Sequence, residues 1–302
     1  MKSVRRNYRK IVIGIAFLLP SFVLYTVFVI YPIFYSNFLS FTNWDGIGKK
    51  IFVGLSNYQR TWTHPDFIMV LGNTLMVTGL SMLIQVPSGL IIAFLLFRTK
   101  TKVFKVYRAI YFLPVVIAST VVAVMFRILL NNDIGVFSSV LSWFRLGRFN
   151  RPWLSDPGTV LYSVIFVQIW QFIGTYVIIF FAALQSIDEE IFESSRIDGA
   201  NCVQQFFRIA CPLVSDILKI AIVFCFNGSM RSYDIPFVMT TGGPGFRSTY
   251  LGIYMYRQVF TNANYGRGSV VAVTILLICF TFTILFNKLA RQDEDKGLKE
   301  KK

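Results

Sequence analysis

The stretch ESSRIDGANCVQQFFRIACP, from Glu193 to Pro212, separates two strongly apolar parts of the chain. It carries glutamate, arginine and aspartate together with several amides. Asp188 and the two glutamates after it are typical of a helix start, where acidic groups meet the positive end of the helix dipole. Gly199 predicts the end of that helix, because glycine best tolerates a left-handed turn. A second helix is then predicted to run to Pro212.

The two predicted helices each carry apolar side chains. In the first helix these are Ile191, Phe192 and Ile197, and in the second they are Val203, Phe206, Phe207 and Ala210. We expect this apolar side to dock under a helical bundle. Periodicity alone leaves two interpretations open: an ordinary amphipathic loop at the membrane surface, or a rigid element gripped by a cytoplasmic partner.

The composition predicts a polytopic membrane protein. Of 302 residues, 55% are hydrophobic and 15% are charged, and the mean hydropathy is +0.58. Soluble domains carry about 25% charged residues. Six runs are long and apolar enough to cross a bilayer as helices: Ile11–Tyr35, Phe67–Phe97, Ala109–Leu130, Thr159–Ile187, Ile217–Met239 and Ser269–Asn287.

The basic residues predict the orientation of these spans. The net charge of +15 comes from residues at the edges of apolar runs, which disfavours nucleic-acid binding. Nineteen of the 30 lysines and arginines lie in segments that share a side with the N-terminus, namely 1–10, 98–108, 188–219 and 288–302. The positive-inside rule therefore puts both termini in the cytoplasm, and six spans require the termini to share a side.

The resulting domain organisation has three parts. Residues 1–10 are a cytoplasmic N-terminus, 11–290 are the transmembrane domain with a cytoplasmic loop at about 188–216, and 291–302 are a charged cytoplasmic tail. The first apolar run is too long for the core of a cleaved signal peptide, so it is interpreted as the first span.

The residue types exclude most enzymatic chemistry in this chain. It has one histidine, His64, and four cysteines without a CxxC pair, so no catalytic residue or metal site is predicted. The string NWDGIGKK departs from a nucleotide-binding P-loop, since Asn43 stands where the first glycine is needed. ATP chemistry would have to come from a partner.

At Glu193–Pro212 the chain closely resembles the EAA loop of binding-protein-dependent ABC importer permeases. That pattern is roughly E-A-A-x-x-D-G-A, an apolar-aromatic stretch and I-x-L-P; serines replace the two alanines here, and Cys211 replaces the leucine. LLPSFVLYTVFVIYPIFYSNFLSFTNWDG, FVGLSNYQR, YRAIYFLPVVIASTVVAVMF and YDIPFVMTTGGPGFRST resemble, in order, successive parts of the sugar-permease branch (maltose and glycerol-phosphate type). The resemblance thus spans nearly the whole chain.

The resemblance implies an all-α fold with six transmembrane helices, the ABC type I importer permease fold. It implies a second homologous permease subunit, two ATPase subunits that bind ATP and Mg, an extracytoplasmic sugar-binding protein and a bacterial cell membrane. The loop would insert into the ATPase with Glu193 as its contact and Gly199 as its bend. The coupling residues implied are Glu193, Ser194, Ser195, Arg196, Asp198, Gly199, Ala200, Phe207 and Pro212.

Substrate contacts are predicted in the fourth and fifth spans. A sugar site needs aromatic faces and amides, and FCFN, which ends at Asn227, resembles a sugar-contacting segment of maltose-type permeases. The candidates are Gln171, Thr175, Tyr176, Phe226, Asn227 and Met230. Packing and interhelix hydrogen bonds are the competing explanation for these side chains. Arg231 and Asp234 are spaced to pair along a helix.

The predicted function is therefore a sugar or oligosaccharide permease driven by a partner ATPase. The alternative is an ion-coupled secondary transporter of a small polar solute. Such a carrier should show inverted repeats and interrupted spans, and the sequence shows no convincing pair. A third interpretation, a membrane scaffold without transport, is disfavoured by the polar groups in the fifth span.

Overall fold

The computed structural model describes residues 2–99, 104–132, 135–145 and 150–300. The first residue of the predicted N-terminus, part of the segment 98–108 and the last two residues of the tail therefore lie outside the described residues. The regular elements are α1 (Lys2–Tyr25), α2 (Tyr31–Ser40), β1 (Thr42–Asn43), β2 (Ile51–Phe52), α3 (Ser56–Trp62), α4 (Pro65–Arg98), α5 (Phe104–Val116), α6 (Ser119–Leu129), α7 (Val136–Trp143), α8 (Val160–Gln185), α9 (Glu189–Ile197), α10 (Cys202–Gln205), α11 (Cys211–Leu213), α12 (Ser215–Met230), α13 (Asp234–Thr240), α14 (Leu251–Tyr256) and α15 (Tyr265–Glu300). Single π-helical turns join α1 to α2, α10 to α11, and follow α14.

The predicted all-α membrane fold is confirmed. Four helical stretches are long and apolar enough to cross a bilayer: Gly14–Ser40, Pro65–Arg98, Val160–Gln185 and Tyr265–Ala290. Two further helix pairs meet the same test but are bent, so the described residues give six spans when each pair counts as one. Apolar side chains along the first span, such as Phe17, Phe28 and Phe34, are exposed, as expected of a lipid-facing surface.

The predicted third span, Ala109–Leu130, is bent. α5 ends at Val116 and α6 begins at Ser119, with a bend of 102° between them. Pro114 has no N–H to donate within α5, and three β-branched residues, which are weak helix formers, follow it. These residues explain why the helix ends in the middle of an apolar run.

The fifth predicted span, Ile217–Met239, is also interrupted. α12 ends at Met230 and α13 begins at Asp234, which provides the acidic group in the first turn of α13. The chain also turns by 75° at Val214, where the helical stretch Cys202–Leu213 meets α12. The absence of interrupted spans, which disfavoured a carrier on sequence grounds, is therefore not a valid argument.

Residues 1–63 and 255–274 form one compact unit. β1 and β2 pair antiparallel, with Thr42 opposite Phe52. The Asn57 amide donates to the carbonyls of Ser40 and Thr42, at 3.0 and 2.8 Å. A Cβ at Gly266 would collide with the Thr42 carbonyl, so a side chain is not tolerated there.

The loop between β1 and β2 is ordered by its own side chains. Asp45 Oδ1 accepts from the N–H groups of Gly48 and Ile47, at 2.7 and 3.0 Å. These bonds hold the pKa of Asp45 below its usual value. The Lys50 ammonium lies 4.8 Å from the Trp44 ring centroid, within cation–π range.

Residues 64–254 and 275–302 form the second compact unit. Its core lies where α4 packs along α8, with Phe94 and Phe180 buried between them. Gly89 permits this approach, since a Cβ there would lie 2.5 Å from the Cβ of Tyr176. This packing positions a cavity beside α8 and the segment Glu189–Leu213, which are described next.

Candidate functional site

The two-helix segment (Glu189–Leu213) contains the predicted glycine turn. Gly199 has a φ of +80°. Its N–H donates to the Arg196 carbonyl at 3.1 Å, and the Ala200 N–H donates to the Ser195 carbonyl at 2.9 Å. These two bonds form a Schellman motif, which satisfies the last carbonyls of α9 and redirects the chain.

The start of α10 is fixed by a capping box. The Gln204 N–H donates to Asn201 Oδ1 at 2.9 Å, and the Asn201 N–H donates to Gln204 Oε1 at 2.8 Å. Reciprocal bonds of this kind satisfy two backbone donors that the helix itself leaves unpaired. The turn is therefore held at both ends, by the Schellman motif before it and by the capping box after it.

The inner face of the two-helix segment packs into the core of the second unit. Phe192 is 1% exposed, and its ring centroid lies 5.2 Å from that of Phe97. Phe206 lies 5.2 Å from Phe94. Ala210 is fully buried in the same cluster. These contacts hold the two-helix segment against the ends of α4 and α8 that are predicted to face the cytoplasm.

A buried glutamine ties the two short helices together. Gln205 is fully buried, and its Nε2 donates to Ser195 Oγ at 2.8 Å and to the Phe192 carbonyl at 3.3 Å. Ser195 Oγ in turn donates to the same carbonyl at 2.8 Å. A hydroxyl at position 195 thus supplies an acceptor that the alanine of the EAA pattern lacks.

The outer face of the two-helix segment remains apolar and exposed. Ile197 is 87% exposed, Phe207 65%, Val203 63% and Ile191 40%. The expectation that these four side chains dock under the bundle is wrong, because Phe192, Phe206 and Ala210 occupy that position. Phe207 directly follows the inward Phe206 and is therefore turned away from the core.

The predicted coupling residues divide in the same way. Ser195 is buried, Ala200 is half-buried, and the others are exposed: Glu193, Ser194, Arg196, Asp198, Gly199, Phe207 and Pro212. Their roles toward an ATPase stay predictions.

A cavity of about 340 Å³ lies within the second unit, between α8 and the break from α12 to α13. Amides, hydroxyls and aromatic rings dominate its lining: Gln85, Ser119, Gln168, Phe172, Thr175, Tyr176, Phe224, Cys225, Gly228, Ser229, Arg231, Ser232, Tyr233, Asp234 and Ile235. Aromatic faces with a few placed polar groups are the usual composition of small-molecule sites.

Hydrogen bonds between helices fix the polar groups of this cavity. The Ser232 hydroxyl donates to Gln168 Oε1 at 2.9 Å, which holds the break after α12 against α8. Gln85 Nε2 donates to the Gln168 carbonyl at 3.3 Å. The Cys225 thiol lies 3.6 Å from Gln85 Oε1 and donates to it. Three spans therefore contribute to one framework.

Two of the six predicted substrate residues, Thr175 and Tyr176, line this cavity. The other four are outside its lining and have other contacts. Gln171 Nε2 donates to the Ile117 carbonyl and to Ser119 Oγ, each at 3.2 Å. That bond pair fixes the start of α6.

The remaining candidates lie on α12, away from the cavity lining. Asn227 Nδ2 donates to the Val223 carbonyl at 2.8 Å and to Thr283 Oγ1 at 3.3 Å. Phe226 stacks on Phe282 with ring centroids 3.6 Å apart, and Met230 is fully buried. Their assignment as substrate contacts stays a prediction.

The sequence interpretation missed most of the cavity. Gln85 carried a detectable signal, since it is an uncharged polar residue inside an apolar run, and such residues usually face a bundle interior. Arg231 and Asp234 both line the cavity, and no ion pair joins them in the described part of the chain. Their predicted pairing is therefore not seen.

The segment TTGGPGFRST (Thr240–Thr249) forms a compact turn, and glycine and proline are common in such turns. Thr249 Oγ1 donates to the Gly242 carbonyl at 2.7 Å. Asn73 Nδ2 lies 2.9 Å from the Phe246 carbonyl and 3.1 Å from the Thr249 carbonyl. One amide on α4 thus holds the turn, a role that the sequence interpretation did not assign.

The chain matches one family over most of its length. The family described as "Binding-protein-dependent transport system inner membrane component" matches residues 85–292, which include the cavity and the two-helix segment.

Curated relatives align over nearly the whole chain. The probable ABC transporter permease protein YurN of Bacillus subtilis is 34% identical over 96% of this chain and 99% of its own length. The multiple sugar-binding transport system permease protein MsmF of Streptococcus mutans is 30% identical over 93% of this chain and 96% of its own length.

The fold also matches a solved transporter chain. A chain of a bacterial ABC transporter involved in the import of alginate has a TM-score of 0.85, covers 96% of this chain and 99% of its own length, and is 22% identical. That likeness supports the fold. Together with the family match and the relatives, it shows that this chain belongs to the family of inner-membrane components of binding-protein-dependent transport systems, as a multi-pass ABC transporter permease.

Proposed function

We propose that this chain is one permease subunit of an ATP-driven importer, which moves a sugar or oligosaccharide delivered by an extracytoplasmic binding protein. The observation that carries the proposal is the cavity of about 340 Å³ lined by amides, hydroxyls and aromatic rings. Amides and hydroxyls suit sugar hydroxyl groups, and aromatic faces suit sugar C–H surfaces. The names of MsmF and of the trehalose/maltose transport system permease protein MalF from Thermococcus litoralis point to the same substrate class.

The partners in this proposal are a second homologous permease, two ATPase subunits and the binding protein. ATP and Mg bind to the ATPase subunits, and this chain supplies no nucleotide site. The two-helix segment transmits ATPase motion: its Schellman turn, capping box and buried Gln205 resist deformation, and its outer face offers apolar side chains to a partner. Both termini lie in the cytoplasm of a bacterial cell, consistent with the distribution of basic residues.

Filling the cavity is expected to block uptake. Gly228 lines the cavity, and a Cβ at this position meets nothing within 4 Å, so the ring of a Gly228→Phe variant can extend from α12 into the proposed substrate space. The measurement is ATP-dependent sugar uptake by the complete complex in vesicles, with a panel of candidate sugars. Uptake should fall to background.

The matched control for this variant is Gly72→Phe. Gly72 lies on α4 outside the cavity lining, and it is equally open, with nothing within 4 Å of a Cβ. Its uptake should stay close to that of the unmodified complex. Equal uptake by the two variants, with both complexes assembled, would remove the cavity from the translocation path.

Asn227 provides a separate test of the sequence-based site. The Asn227→Ala variant removes the amide that donates to Thr283. If Asn227 contacts the sugar, uptake falls while thermal stability of the purified complex stays unchanged. A loss of stability with parallel loss of uptake would instead assign the amide a structural role.

A further inference from the structure

Two opposite charges lie at the break between α12 and α13. Arg231 follows the last residue of α12, and Asp234 begins α13, within the helical stretch Ser215–Thr240 of the fifth span. Both side chains are exposed, and both line the cavity beside α8. Charged groups within a span are costly in lipid and usually face a bundle interior or a water-filled path. The two charges therefore belong to the cavity and not to the lipid-facing surface.

The other two charges of the same helical stretch are accounted for by each other. Asp216 and Lys219 lie near its start, three residues apart, and form an ion pair of 3.1 Å. The cavity charges have no corresponding partner, because no ion pair of Arg231 or Asp234 is found among the residues that the structure describes.

Much of the hydrogen-bonding capacity of these two side chains is unused. Arg231 Nε donates to the Asn227 carbonyl at 3.2 Å, and its two terminal amino groups make no hydrogen bond to a described residue. The Asp234 carboxylate accepts none from that part of the chain either. The amides of Gln85 and Gln168 differ, since bonds between helices already hold them. Arg231 and Asp234 thus offer free donors and acceptors to an occupant of the cavity.

The backbone between the two charges is held in place. The Ser232 hydroxyl donates to Gln168 Oε1 at 2.9 Å. The Tyr233 ring stacks on that of Phe237, with centroids 4.8 Å apart. A Cβ at Gly252 would lie 3.1 Å from the Ser232 carbonyl oxygen, so the chain packs closely there. The carboxylate and the guanidinium therefore extend from a fixed stretch of backbone, which reduces the entropy lost when a ligand binds.

The charges of the cavity cancel, which points to one class of sugar. Among the described residues that line it, only Arg231 and Asp234 are charged. An acidic sugar would be repelled by the carboxylate, and an amino sugar would be repelled by the guanidinium. Neighbouring hydroxyls of an uncharged sugar suit both groups, because a hydroxyl donates to a carboxylate and accepts from a guanidinium.

We propose that the cavity takes a sugar without net charge, and that Asp234 and Arg231 select it by bonding to its neighbouring hydroxyl groups. Asp234 accepts from these hydroxyls, and Arg231 donates to them. This specificity rests on the proposed sugar transport, to which it adds the charge class of the substrate and two residues that select it.

The charge of the transported sugar tests the first part of the proposal. The cognate binding protein is purified with its ligand, the released sugar is analysed by mass spectrometry, and ATP-dependent uptake of that sugar by the complete complex is measured in vesicles. We expect a sugar that lacks carboxylate, sulfate and amine groups. ATP-driven uptake of a charged sugar would overturn the charge class and leave the proposed sugar transport intact. No ATP-driven uptake of any sugar would contradict the proposed function itself, and the specificity with it.

Two variants test the selecting residues. Asp234→Asn and Arg231→Gln keep the approximate size of each side chain and remove its charge. Each should lower the maximal rate of uptake about tenfold, because hydrogen bonds to a charged group are about twice as strong as neutral ones. The binding protein captures the sugar first, so the half-saturating sugar concentration should stay unchanged.

The matched control is Asp216→Asn. It makes the same chemical change in the same helical stretch, at a side chain that is 78% exposed and outside the cavity lining. This variant should take up sugar at close to the unmodified rate. Equal uptake by the Asp216 and Asp234 variants would overturn the role of Asp234. A lower unfolding temperature of the Asp234 variant, in parallel with its loss of uptake, would also overturn that role, since the carboxylate would then be a structural group.

Discussion

Replacing Glu193 with lysine is expected to uncouple ATP hydrolysis from transport without unfolding the membrane subunit. Glu193 is exposed on α9, and no hydrogen bond or ion pair of this side chain is found in the described part of the chain. The substitution therefore removes no internal contact. In the proposed complex the effect is expected at the ATPase, where reversing a charge that pairs with the partner would cost about 2 kcal/mol, equivalent to about 30-fold in affinity.

Glu190→Lys is the matched control for Glu193→Lys. It makes the same charge change on the same helix, in the first turn, where a glutamate favours the helix and a lysine opposes it. The control is thus the more disruptive variant for the isolated helix. Sugar-stimulated ATPase activity should be lost in the Glu193 variant and largely kept in the control. If both variants lose it equally, the effect comes from helix stability and Glu193 is not the contact.

The second large effect is expected from Phe192→Ala. This ring is 1% exposed between α9 and the ends of α4 and α8, and removal of a buried phenylalanine costs about 3–5 kcal/mol. The two-helix segment would lose its main attachment to the bundle. We expect a lower unfolding temperature of the purified membrane subunits, together with ATP hydrolysis that no longer drives uptake.

Phe207→Ala is the complementary experiment to Phe192→Ala, because Phe207 is 65% exposed on the outer face of the same two-helix segment. This variant should leave the unfolding temperature unchanged and weaken association with the ATPase. Phe192→Ala should therefore lower the unfolding temperature, whereas Phe207→Ala should weaken ATPase binding and leave the unfolding temperature unchanged. A parallel loss of stability in both would contradict the division into an inner and an outer face.

The sequence predicted the helical class and the position of the glycine turn because both depend on local chemistry. Apolar run length identifies membrane helices, and Gly199 marks a left-handed turn. The interruptions at Ile117 and Ser232 were missed, because an apolar run predicts helix irrespective of where the helix bends. Pro114 and the three β-branched residues after it were the local signals for the first interruption.

The inner and outer faces of the two-helix segment were harder to assign. Phe206 and Phe207 are adjacent and equally apolar, yet the first packs on Phe94 and the second is exposed. A π-helical turn over Phe206–Ala210 changes the angular spacing there, so ordinary helical periodicity fails. Similarly, the cavity beside α8 combines Gln85, Gln168 and Ser232 from three spans, and their proximity depends on tertiary packing.

The central claim is that a partner ATPase drives sugar uptake through this permease. The most direct measurement is sugar accumulation by the complete complex in vesicles, with binding protein present and all ion gradients collapsed by ionophores. The account predicts accumulation that requires ATP and that is lost in the Gly228→Phe variant. Accumulation that persists without ATP and follows an imposed proton or sodium gradient would contradict it.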